Sequence, residues 1–103
     1  MRNLLNVIKR ILVPHYIPAG MYEASEYFRL NGPIHFEFHQ EENEVVAVSD
    51  NFRHGSIITA GKNEKELKQN IVDAILTAFE IPSAYADRIN IQPVGRQQEY
   101  AIA

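Results

Sequence analysis

From Ile34 to His39 apolar and polar residues alternate: Ile34, Phe36 and Phe38 fall on one side, His35, Glu37 and His39 on the other. A period of two predicts a half-buried strand. The polar run Gln40 to Glu44 separates it from Val45 to Ser49, whose β-branched residues predict a second strand paired antiparallel to the first. The loop Asp50-Asn51-Phe52-Arg53-His54-Gly55 then leads into a third strand, Ser56 to Ala60, which completes a meander. Past Gly61, read as the residue that lets the chain leave the strand sharply, the period changes. Leu67, Ile71, Ala74, Ile75, Ala78 and Phe79 form one helical stripe, with Lys65, Lys68, Gln69 and Asp73 largely off it. Asn63 and Glu66 have the spacing of a capping box, and Pro82 requires the helix to end near Glu80. The stripe is expected on the Phe36/Phe38 side of the sheet.

The flanks are less regular. Leu4, Leu5, Ile8, Ile11 and Leu12 recur at helical spacing and predict a short amphipathic helix stopped by Pro14. His15 to Gly20 reads as an extended connector. Met21 to Leu30 settles on no single period, which leaves one or two helical turns and an added strand both open. Asn31-Gly32-Pro33 is a turn. Ile89, Ile91 and Val94 suggest a fourth strand, shortened by Pro93 and Gly95, and Arg96 to Ala103 a tail, either frayed or paired with a neighbour. The expected fold is α+β, in the order β-β-β-α-β: a mainly antiparallel sheet of three or four strands with one long helix on one face. The chain divides into an N-terminal extension (1–33), a central domain (34–95) and a C-terminal tail (96–103).

Composition narrows the class. A chain of 103 residues, 46% hydrophobic and 22% charged, suits one globular domain rather than a disordered segment. The absence of cysteine rules out disulfides, thiolate metal sites and a cysteine nucleophile. A net charge of −3 with no dense Lys/Arg cluster argues against nucleic-acid binding as the main activity. No apolar run is long enough for a membrane span. Lys9 and Arg10 interrupt what would be the apolar stretch of a signal peptide, so the N-terminus is expected to be retained and the protein cytoplasmic.

Candidate chemistry is sparse. His35, Glu37 and His39 share a strand face, and imidazole with carboxylate suits Zn²⁺ or Fe²⁺. The outer two lie about 13 Å apart along a strand, so only a neighbouring pair of the three can share one ion. This face is the alternative reading, a metal-binding protein or an enzyme. His54 has no nucleophile near it in sequence. Ser49, Ser56 and Ser83 lie in no G-x-S-x-G turn. Gly55 and Gly61-Lys62 miss the phosphate-loop spacing by one residue and lack its final Ser/Thr. Glu37, Asp50 and Asp73 are an acidic set that Asp73, opposite the helical stripe, cannot complete. Phe52, Arg53 and His54 are the side chains of the central stretch not claimed by the core, and they are the candidate partner-binding residues.

The stretch Val46 to Phe79 resembles the HicB-like antitoxin family. That family has a strand, a Pro-Asp-Leu-Pro-Gly-like loop, a second strand, and a Gly-Asp/Lys-Thr-x-x-Glu-Ala step into a helix. Here the step is Gly61-Lys62-Asn63-Glu64-Lys65-Glu66-Leu67, and Asn70 and Ala74-Ile75 stand where the family's helix often has Asn and Ala-Ile. With the flanking strands the resemblance covers about sixty residues. It implies a partial ribonuclease-H-like or ferredoxin-like sheet without catalytic activity, in an antitoxin that binds and neutralises a small ribonuclease toxin or in a solitary relative of one; a homo-oligomer without a cofactor is expected. Many family members also repress their own operon through a C-terminal DNA-binding module. Nine residues follow Val94, too few for that module, so direct DNA binding is not expected. The loop also lacks the family's two prolines.

Overall fold

The computed structural model describes residues 19–102. In chain order these form α1 (Ala19–Asn31), β1 (Ile34–Gln40), β2 (Val45–Ser49), β3 (Ile58–Gly61), α2 (Glu64–Ala78), a 3₁₀ helix (Ser83–Arg88), β4 (Ile91–Val94) and β5 (Arg96–Ile102). The strands make one antiparallel sheet in the order β3-β2-β1-β5-β4. The fold is α+β, as expected. The amphipathic helix expected before Pro14 lies outside the described residues.

The strand count is five, because the expected tail is a strand. β5 runs back from Gly95 and inserts between β4 and β1, pairing Tyr100 with Ile34 and Glu99 with His35 on one side and Ile102 with Ile91 on the other. Tyr100 is buried in the core and Ile102 packs against it, whereas the polar run Gln97-Gln98-Glu99 conceals the alternation in the sequence. Nor is the segment before Ile34 an appendage. In α1, Gly20, Ala24 and Tyr27 are buried at helical spacing, and Ala24 and Tyr27 belong to the same core as β1 and α2. The expected boundaries at 33 and 95 therefore cut through one core.

The faces of β1 are as the alternation predicts. Ile34 and Phe36 are fully buried, Phe38 is half-buried against the core, and His35, Glu37 and His39 face the other way. The inner residues meet Leu67, Ile71, Ile75 and Leu76 of α2 in one cluster. Two details of the stripe differ: Leu76 is buried although off it, and Ala78 is exposed although on it. Phe79 and Ile81 fold back into the core after the helix ends, which buries α2 over an arc that a helix lying on a sheet alone would leave open.

Both ends of α2 are closed locally. Asn63 Oδ1 accepts from the Glu66 N–H at 2.8 Å, while Glu66 Oε1 accepts from the Lys62 N–H at 2.6 Å, so the reciprocal arm of the capping box reaches one residue further back than expected. At the other end Ile81 N–H donates to Leu76 O at 2.8 Å and Glu80 N–H to Thr77 O at 2.9 Å. This C-terminal closure places Glu80 at φ 58, the left-handed position that glycine normally fills. Two glycines serve close approach. A Cβ on Gly61 would strike the backbone of Leu67, so this residue lets α2 settle on the strand end, and its φ is not in the positive range. A Cβ on Gly20 would strike Phe79 O, which fixes the start of α1 against the end of α2.

The sheet edges are guarded. Ser49 N–H donates to Ile57 O, so by alternation the backbone groups of Ile58 and Ala60 point away from β2. Asn70 Nδ2, from α2, donates to Ala60 O at 2.7 Å and occupies that edge. At the far edge Pro93 has no N–H to offer a further strand.

Two predictions test these features. Replacing Glu80 by glycine removes the left-handed penalty and is expected to raise unfolding stability by about 1 kcal/mol, read from the urea midpoint. Burial pushes the Tyr100 phenol above its ordinary range, and the Glu64 charge adds to the shift. The folded pKa thus exceeds the unfolded one, so this contribution is fully present below pH ~10 and is lost as pH climbs through the folded value. Urea midpoints should fall above that pH, and Tyr100→Phe should flatten the decline.

Candidate functional site

Tyr27 organises the end of the molecule where α1, the loop after β2 and the end of α2 meet. Its ring lies 5.2 Å from Phe52, 5.5 Å from His54 and 5.5 Å from Phe79, centroid to centroid. Its hydroxyl accepts from the Arg53 N–H at 3.1 Å and donates to Asn51 O at 3.4 Å. The loop is also fastened to β1: Asn51 Oδ1 accepts from the His35 N–H at 2.8 Å, Asn51 Nδ2 donates to Pro33 O at 3.1 Å, and Asp50 N–H donates to His35 O at 3.0 Å. Six residues without regular structure are thereby held in place by backbone and ring contacts.

This arrangement redistributes the expected partner-binding residues. Phe52 is half-buried and packs on the core, so it is claimed by the core after all. Its ring meets Phe79 at 5.7 Å and His54 at 5.3 Å. Arg53 is exposed, and among the described residues only its backbone is tied down. His54 is exposed, meets the Phe52 ring edge-on and the Tyr27 ring at a tilt, and lines a cleft of about 610 Å³. The cleft runs between α1 and the end of α2. Tyr27, Phe79 and Leu30 supply its apolar wall, and Glu23, Glu26 and Glu80 its acidic side. Leu30 is 68% exposed. Glu26 is held by Arg29 at 2.6 Å, and the hydrogen bond and charge of that guanidinium lower its pKa.

The sheet face that no described helix covers is divided. Its β1 side carries His35, Glu37 and His39, with Glu99 of β5 beside His35. Its β2–β3 side carries Val46 and Val48 paired with Ala60 and Ile58, and Ile58 is 64% exposed. The three polar residues of β1 do not converge. His35 Nδ1 meets Asp50 Oδ2 at 2.7 Å, while His39 Nε2 sits 3.8 Å from Glu37 Oε1. Among the described residues no group of three or more His, Cys, Asp or Glu is placed to hold a metal ion. Asp50 is taken by His35, and the Ser49 hydroxyl is buried, accepting from the Ile57 N–H at 2.8 Å.

Sequence reasoning found His54 but missed the cleft around it. Its other walls come from α1, whose buried positions are small (Gly20, Ala24) and give little hydrophobic signal, and from Glu80, which reads as an ordinary surface residue. No family model, curated protein or solved structure matches the chain. No helix among the described residues is long and apolar enough to cross a membrane.

Asn51→Ala removes both side-chain bonds that clamp the loop to β1. The expected cost is about 1–2 kcal/mol in urea unfolding, with faster amide exchange at His35, whose N–H loses its acceptor.

Proposed function

We propose that the protein is a non-catalytic interaction domain of the HicB antitoxin kind, acting in the cytoplasm by binding and neutralising a small ribonuclease. The charge distribution carries this reading. All thirteen Asp and Glu residues lie after residue 18, together with only seven of the ten Lys and Arg residues. A ribonuclease must present cations to the phosphates of its substrate, and an acidic domain is electrostatically suited to cover that surface. The same acidity disfavours direct contact with DNA. The apolar side of the bare sheet face, Val46, Val48 and Ile58, supports self-association, and a homo-oligomer is part of the proposal.

The test is a ribonuclease assay. A small basic protein is sought in the reading frame adjacent to this chain's and purified, and its cleavage of RNA is followed as this protein is added; absence of such a frame overturns the reading. Cleavage should stop near equimolar ratio, with co-elution of the two proteins on size exclusion. Undiminished cleavage in the presence of a large excess overturns the reading.

A further inference from the structure

We propose that the cleft between α1 and the end of α2 is the docking site for a lysine or arginine side chain, presented beside an apolar residue on a segment of a partner protein. This role presupposes the interaction-domain reading above, but not that the partner is a ribonuclease. Two features of the cleft favour a cation. The C-terminal end of α2 opens onto it, and that helix has no basic residue in its last turn, so the negative pole of its dipole is unanswered within the helix. Glu23 and Glu80 lie at the same opening and form no ion pair among the described residues, whereas Glu26 is already held by Arg29. Tyr27 and Phe79 border the cleft but are almost wholly buried, so they give it an apolar floor and the attraction for a cation comes from the carboxylates and the helix end.

The apolar component has its own counterpart. Leu30 is largely exposed at the rim, next to the Tyr27 and Phe79 rings, and offers a surface for an aliphatic neighbour or for the stem of the basic side chain. At about 610 Å³ the cleft is large enough for one long side chain and the flank of its neighbour. Glu80 adds a further reason to look here. It stands where the backbone favours glycine, and its side chain lines the cleft. Stability would be served by glycine, and docking by the carboxylate.

The experiment is an NMR titration of the full chain with a synthetic amphipathic peptide of leucine and arginine, and with the same peptide carrying glutamate for arginine. Binding of the arginine peptide should saturate, weaken with added salt, and shift the amides of Tyr27, Leu30 and Phe79; the glutamate peptide should not bind. Glu23→Gln and Glu80→Gly should each weaken binding roughly fivefold or more. Because Glu80→Gly is expected to fold more stably, its loss of binding cannot be a loss of fold. Shifts centred on the bare sheet face, absence of saturation, or unchanged affinity in both variants would each overturn the proposal. Tighter peptide binding by a Lys9→Gln, Arg10→Gln variant would make the chain's own first residues the occupant and overturn the assignment to a partner. The two readings separate cleanly. Neutralisation without peptide binding removes the cleft alone, and peptide binding without neutralisation removes the ribonuclease alone.

Discussion

The ring and hydroxyl of Tyr27 join parts of the chain that are remote in sequence. One side chain on α1 packs against the loop after β2 and against the first residue beyond α2, and its oxygen bonds the loop backbone at Asn51 and Arg53. Bringing such segments together has an entropic cost that rises slowly with the length of chain between them, so a few well-placed contacts suffice to offset it. Without this joint α1 would be held by its small buried residues and by Met21 and Phe28, and the loop would hang from β1 through Asn51 and Asp50. The cleft exists because both of its walls are fixed to the same ring.

The two sides of the sheet follow different rules. The helix-covered side is a single apolar cluster reaching from Ala24 to Tyr100, which makes residues from almost every element mutually dependent. The bare side is a mosaic, with histidines and carboxylates near the middle of the sheet and valines and isoleucine toward β3. Its polar members pair with near neighbours instead of gathering at a point. Antiparallel sheets commonly leave one side to solvent, and an exposed Ile58 alone is unremarkable, but with the paired valines it makes this half of the face the more apolar one.

The sequence made the central stretch legible because its signals are local. Strict alternation at Ile34 to Phe38, the spacing of Asn63 and Glu66, and the stripe through Leu67, Ile71 and Ile75 each arise within a few residues of chain. What stayed hidden depends on tertiary context. α1 buries Gly20 and Ala24 beside Tyr27, and two of these three are too small to mark a hydrophobic period. β5 is drawn into the sheet by its pairing with β1 and β4, a long-range requirement that Gln97-Gln98-Glu99 disguises. Gly61 was legible as a necessary glycine but for another reason: the backbone of Leu67 sits where its side chain would be. The His35–Asp50 pair joins residues on two different strands' ends, and no spacing along the chain announces it.

The bond from Asn70 to Ala60 O has a consequence for how this protein meets others. A free strand edge is an indiscriminate template, because backbone hydrogen bonds accept any sequence that can lie flat. The Asn70 amide takes one outward acceptor of β3, and Pro93 leaves β4 one donor short, so each edge of the sheet is a poorer template for an added strand than a bare one, and side-chain shape and charge gain weight in deciding what binds.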